Sequence, residues 1–219
     1  MATDLPLRSD TALPRDIALR CACGALRGTA LAMAPSVGAR IVCYCDDCQA
    51  FARFLGRSDV LNERGGTDIF QTAPSRLRWM GGVEALACMR LSDKGMHRWY
   101  CRECKTPVGN TMGPKVPFVG LIHNFLDLPT EAERDVVLGP VRAHILTKFA
   151  PGGPLPEETR WATFRMLGRA GRLLATWWLT GAGSPSPFFE GKPPAPRVVP
   201  EVLAPSQRQG LGPTATAGE

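Results

Sequence analysis

Seven of the eight cysteines stand in three tight groups: Cys21-Ala22-Cys23-Gly24, Cys43-Tyr44-Cys45-Asp46-Asp47-Cys48 and Cys101-Arg102-Glu103-Cys104. A bridge between Cys43 and Cys45 would cross one residue and be badly strained, so the thiols within a group are poor disulfide partners. Thiolates that converge on one point suit a metal ion instead. If Cys21 and Cys23 lie in a strand, residues two apart share a face and both sulfurs can meet one ion. Gly24 then lets the backbone turn tightly and bring amide hydrogens toward them. Cys101 and Cys104 form the usual C-x-x-C knuckle, and the two pairs together supply the four sulfurs of a closed structural zinc site. Cys43, Cys45 and Cys48 supply three, which leaves a fourth position open to water or an incoming thiol. The same residues allow a rival arrangement, a two-knuckle ribbon of Cys45, Cys48, Cys101 and Cys104. That arrangement leaves Cys21, Cys23 and Cys43 unexplained.

Other candidates are weaker. Cys88 stands alone in an apolar run and reads as a buried small hydrophobe, with a fourth-ligand or resolving role as the alternative. His97 and His123 flank expected strands and could reach a site, although a histidine held by hydrogen bonds is the commoner outcome. Asp46 and Asp47 read as a solvated turn, or else as groups that orient the ligands. Arg40, Arg53 and Arg57 lie near the middle cysteine group in sequence and could offset its negative charge or hold a substrate carboxylate. No phosphate loop, Gly-x-Ser-x-Gly elbow or His-Glu-x-x-His helix is present.

The elements that must position these residues are mostly strands. Between Ile17 and His123, short β-branched or aromatic runs alternate with Gly, Pro and Asp turns. The expected strands are Ile17–Arg20, Ala39–Cys43, Asp68–Gln71, Arg76–Met80, Ala85–Leu91, Met96–Tyr100 and Pro117–Ile122. Residues 48–54 should form a helical turn. Thr130 and Glu133 make a capping box, and Gly139-Pro140 a stop, so a short helix is expected over 131–138. A longer helix is expected over 157–180, where Trp161, Phe164, Leu167, Leu174 and Trp178 recur at helical spacing while Arg165, Arg169 and Arg172 fall on another face. We expect that apolar stripe to dock on the β domain; the alternative is a basic amphipathic helix at a membrane surface. The organisation expected is an N-terminal arm (1–16), a β domain (17–128), a helical extension (129–182) and a Pro-rich strap with a loose end (183–219). Phe188 and Phe189 should anchor the strap.

At 219 residues the chain can bury a full core. The opening Met1–Asp10 has no basic n-region or apolar h-region, and the most apolar run, Leu173–Leu179, is too short to span a bilayer. A cytoplasmic protein with reduced thiols is therefore expected. The net charge of +6 invites a nucleic-acid partner, but the basic residues are mostly arginines spread along the chain, with no basic block, and that partner is not expected.

The order and spacing of the C-x-C-G, C-x-C-x-x-C and C-x-x-C groups resemble the glutathione-dependent formaldehyde-activating enzyme family and its centromere-protein-V relatives. The resemblance covers about residues 17–123. It implies a compact all-β tent, a structural zinc on Cys21, Cys23, Cys101 and Cys104, and a second, labile zinc on Cys43, Cys45 and Cys48. It further implies carbon–sulfur lyase chemistry on a thiol–aldehyde adduct such as that of glutathione and formaldehyde. The chain departs from the family pattern at Tyr44, where the family often has His, and at Lys105, where it has Gly. The alternative function is a non-catalytic zinc module that binds a protein or nucleic acid.

Overall fold

The computed structural model describes residues 12–156 and 160–212. It is mainly β, with a small sheet facing a large mixed one and a long C-terminal helix. Strands β1 (Arg15–Arg20) and β2 (Arg27–Met33) form an antiparallel hairpin, and β2 also pairs with β5 (Leu77–Gly81). The large sheet contains β3 (Ala39–Cys43), β4 (Thr67–Thr72), β6 (Leu86–Arg90), β7 (His97–Cys101), β8 (Pro107–Thr111) and β9 (Val119–Ile122). Its antiparallel body runs β3-β4-β9-β8-β7-β6. Two short strands from the C-terminal third close its edges in parallel: β10 (Ala143–Ile145) on β3, and β13 (Glu201–Val202) on β6. Covered edges leave little unpaired backbone for another chain to join. Strands β11 (Phe189–Glu190) and β12 (Ala195–Pro196) form a separate small pair.

The main core lies between the two sheets. Leu19, Met33 and Leu77 from the small sheet meet Phe70, Trp99 and Leu121 from the large one. All seven expected strands are present within a residue or two at most ends. β2, β8 and β10 were not expected. The sequence of β8, PVGNT, carries two residues that normally weaken a strand. Gly109 is required there because a Cβ would come within 2.7 Å of the Gly120 carbonyl on β9.

Helix α1 (Asp46–Phe54) follows β3, and α2 (Glu131–Leu138) begins at the expected capping box, with Glu133 N–H donating to Thr130 Oγ1 at 3.2 Å. Helix α3 (Arg160–Leu179) occupies the described part of the expected long helix; residues 157–159 lie outside the described residues. Its rotation corrects the expected packing. Met166 and Trp177 face inward, with Leu173 and Leu174 beside them. Trp161, Phe164, Leu167 and Trp178 are instead 67%, 68%, 60% and 70% exposed. The helix carries two apolar faces, and a period of 3.6 does not say which one docks. Arg169, expected in water, decides it by donating to the Pro35 and Gly38 carbonyls at 2.6 and 2.8 Å.

Both expected anchors of the strap are buried. Phe188 is fully buried against Trp99 and Trp79, with ring centroids 5.0 and 5.7 Å away, and Phe189 is buried beside it. The expected loose end from Gln207 is corrected through Leu211. Helix α4 (Pro205–Gln209) places Arg208 against Asp46 and Asp47, both at 3.0 Å, and Arg53 donates to the Leu211 carbonyl at 2.8 Å. Residues 213–219 lie outside the described residues. No helix among the described residues is long and apolar enough to cross a membrane.

Candidate metal centres

The fold brings Cys21, Cys23, Cys101 and Cys104 together, with all four sulfurs within 4.8 Å of one another. Cys21 and Cys23 do so from the turn after β1, not from a strand. Gly24 at φ +73° closes that turn, its N–H donating to the Cys21 carbonyl at 2.9 Å, and Leu26 N–H donates to Cys21 Sγ at 3.2 Å. Cys101 ends β7, and Lys105 N–H returns to its carbonyl at 2.9 Å, which makes the second knuckle. Lys105 takes φ +57°, the left-handed region that glycine fills without strain, and sets its ammonium 5.6 Å from the centre of the Tyr100 ring.

Four sulfurs each about 2.3 Å from one tetrahedral zinc lie roughly 3.8 Å apart. The Cys21–Cys23 and Cys23–Cys101 sulfur separations of 3.4 and 3.9 Å bracket that spacing. An all-thiolate set favours zinc, copper(I) or iron over magnesium or calcium. Burial opposes ionisation of Cys104, yet hydrogen bonds from the Thr106 hydroxyl and from backbone amides bring its thiol down to about 6. Burial pushes Cys101 up to about 12.

Cys43, Cys45 and Cys48 form the second cluster, again with every sulfur within 4.8 Å of the others. Cys43 ends β3, Cys45 is the N-cap of α1, and Cys48 lies in its first turn, its N–H donating to Cys45 Sγ at 3.3 Å. The N-terminal end of a helix carries a partial positive charge, so it suits a thiolate. Cys43 and Cys48 are buried and Cys45 half-buried. Met166 and Ala170 of α3 belong to the same apolar cluster as all three cysteines, so the inner face of α3 forms one wall of this site.

The charge partner of this cluster is Arg98 on β7. It is 2% exposed, and its guanidinium lies 3.9 Å from Cys48 Sγ, 3.4 Å from an Asp47 carboxylate oxygen and 3.3 Å from Asn110 Oδ1. It also lies 5.5 Å from the centre of the Phe51 ring. Hydrogen bonds from Cys43 and Cys45, reinforced by the charge of Arg98, hold the Cys48 thiol well below its ordinary value. Cys43 is pushed up, first by its hydrogen bonds to the other two thiols; Cys45 goes up to about 12, where the Cys48 interaction and burial outweigh the Cys43 hydrogen bond. Beside Cys48 is a void of about 10 Å³ lined in part by Thr67, Arg98 and Asn110. Thr67 Oγ1 is buried there without a hydrogen-bond partner. Such a void has room for about one water or one carbonyl oxygen.

Arg98 was missed in the sequence, and the arginines proposed in its place have other partners. Arg40 is buried among Asp68, Asp135 and Glu131. Arg53 binds Gln49 and the Leu211 carbonyl, and Arg57 binds Asp59 and the Thr106 hydroxyl beside the first cluster. Asp46 and Asp47 are not a solvated turn: both pair with Arg208, and Asp47 also fixes Arg98. Only the alternation of β7, HRWYC, hinted that Arg98 would face inward, and that was too little to separate it from the other arginines. Cys88 is a core residue in neither cluster, its thiol raised to about 12 by burial. His97 stacks on Trp99, and His123 bonds the Asp68 carbonyl; neither joins a cluster. Tyr44 points away from the sulfurs toward His144 Nδ1 and Asn62, at 3.1 Å each.

A match over residues 13–199 places the chain in a family of unknown function (DUF6151), to which it belongs. Comparison with curated proteins returned no match. Among solved structures, the chain is similar to a Rhodobacter sphaeroides protein at 19% identity, over 57% of this chain and 96% of that one. The TM-score of that pair is 0.40, too low to support an argument.

Proposed function

We propose that this member of the DUF6151 family is a zinc-dependent carbon–sulfur lyase that forms or cleaves a thiol–aldehyde adduct. On this reading Cys21, Cys23, Cys101 and Cys104 hold a structural zinc, and Cys43, Cys45 and Cys48 a labile one. The reading keeps the resemblance to the glutathione-dependent formaldehyde-activating enzymes and their β-tent fold, and it requires a reducing compartment such as the cytoplasm. The observation that carries it is the pairing of three clustered sulfurs with a buried arginine and an unpartnered hydroxyl at one small void.

Bound at the three sulfurs, zinc would supply an open position that holds an incoming thiol as its thiolate near neutral pH. The chain's own groups would do the rest. Three thiolates and a dication would carry one net negative charge, and the buried guanidinium of Arg98 would offset it. In the forward direction the substrate sulfur bonds to the aldehyde carbon, the carbonyl π pair moves to oxygen, and that oxygen gains the proton the thiol lost. In reverse the C–S bond breaks and the same atoms separate. Thr67, whose hydroxyl is buried and unpartnered, and Arg98 are among the residues lining the void where a carbonyl oxygen would gain charge, and donors set there in advance would stabilise it. Cys45, the most exposed of the three, gives the substrate its approach.

A second reading, a non-catalytic zinc module, is favoured by the burial of Cys43 and Cys48 beneath α3. NMR exchange between formaldehyde and a panel of small thiols separates the two. The lyase reading expects catalysed exchange that is lost in Cys45→Ser. Absence of exchange with both sites filled would leave the module.

A further inference from the structure

Helix α3 is apolar on two opposite sides. Its inner face is held by Met166, Leu173 and Trp177, while the outer face carries Trp161, Phe164, Gly168, Gly171, Ala175 and Trp178 at alternating spacings of three and four. A large apolar helix face left exposed marks an interaction surface. Trp161, Phe164 and Trp178, with Leu167 and Leu179, are 60–77% exposed, and these five side chains leave on the order of 600 Å² of apolar surface, close to the roughly 800 Å² per partner of a standard interface.

The outer face reads the same in both directions. Reversed about the midpoint between Gly168 and Gly171, Trp161 falls on Trp178, Phe164 on Ala175 and Gly168 on Gly171. A two-fold axis pairs a surface with itself in this way, so Phe164 meets the small Ala175 and the backbones approach at the glycines. The glycines have no purpose within the chain, since a Cβ at either position would meet nothing within 4 Å. Glycine weakens a helix interior, and an outside partner explains its use. The same reversal sets Arg165 against Leu174 and Arg172 against Leu167, so no two arginines meet.

A receptacle lies where the reversal requires one. Beside Trp178 is an open groove of about 440 Å³, lined by Pro117, Trp177, Pro185, Phe189 and others. It is large enough for an indole.

We propose that the outer face of α3 is the two-fold interface of a homodimer, in which the helix pairs antiparallel with its copy and Trp161 of each chain enters the groove at Trp178 of the other. The inference is independent of the metal chemistry. Because the inner face of α3 walls the three-cysteine cluster, pairing would also hold that wall in place. A flat lipid surface would need neither the glycines nor the groove.

Sedimentation velocity on the full chain between about 1 and 100 µM tests this. A dimer is expected. Gly171→Leu, which fills open space with a better helix former, should leave the monomer at least as heat-stable yet weaken dimerisation by about a hundredfold. Phe164→Glu should weaken it too, and adding Ala175→Lys should restore it, because only the antiparallel register sets 164 against 175. A monomer at every concentration, or a dimer indifferent to Gly171→Leu and to Phe164→Glu, would overturn the proposal. A monomer that binds phosphatidylserine vesicles would overturn it in favour of lipid.

Discussion

Replacing Arg98 by glutamine removes the buried cation that lies beside Cys48 and keeps a donor for Asn110. Direct attraction gives the wrong magnitude. With one thiolate in the empty site and one net negative charge in the filled site, Arg98 stabilises both states about equally. The loss arises from protonation. In the native chain the Cys48 thiol is held well below its ordinary value, first by its hydrogen bonds to Cys43 and Cys45 and then by Arg98. Without the guanidinium the Cys48 thiol rises, because the charge and hydrogen bond of Arg98 add to the Cys43 and Cys45 hydrogen bonds that hold it down, and the empty site binds more proton that metal must displace. Each pH unit by which that thiol comes to lie above the working pH costs ~1.4 kcal/mol, roughly tenfold in zinc affinity. A thiol raised in this way is protonated below its new value, so the defect is larger at pH 7 than at pH 9. The variant should release more protons per zinc at pH 7 than the native chain. Competition with a chromophoric chelator, alongside pH-stat titration, measures both. A defect of equal size at pH 7 and pH 9 would refute the linkage argument. So would unchanged affinity at pH 7.

Cys21→Ser or Cys104→Ser should destabilise the whole fold, since a closed site tying β1 to β7 contributes folding free energy directly, whereas Cys45→Ser should leave thermal unfolding nearly unchanged and remove only the second ion; equal losses in all three would make both sites structural. Phe188→Ala should cost about 3–5 kcal/mol in urea unfolding, because its ring is fully buried between Trp79 and Trp99. A loss under 1 kcal/mol would mean that the strap is not part of the core. Lys105→Gly should raise stability by up to about 1 kcal/mol by relieving the left-handed backbone at φ +57°. A decrease would show that the Lys105 contact with Tyr100 matters more.

The parts of the site that were legible in the sequence are those set by short-range chemistry. Two C-x-C or C-x-x-C spacings and one C-x-C-x-x-C run identified both clusters, and Thr130 with Glu133 placed α2 to the residue. The parts that were not legible depend on contacts far apart in the chain. Arg98 meets Cys48 across 50 residues, and Arg208 meets Asp46 across 162. No local pattern distinguishes those arginines from the others. Strand β8 was hidden because Pro and Gly read as turn residues, although Gly109 is there for a close backbone approach. The rotation of α3 was hidden because both its faces are apolar; the choice rests on Arg169 finding two carbonyls in the segment between β2 and β3.

Metal content by native mass spectrometry, before and after mild chelation, tests the central claim of two thiolate centres of unequal strength. The account predicts two zinc ions per chain as isolated, of which a mild chelator takes one while circular dichroism stays unchanged. The ion that leaves should be the one absent from Cys45→Ser. A chain that binds a single ion when supplied with excess zinc, or that loses its second ion only on unfolding, would contradict it.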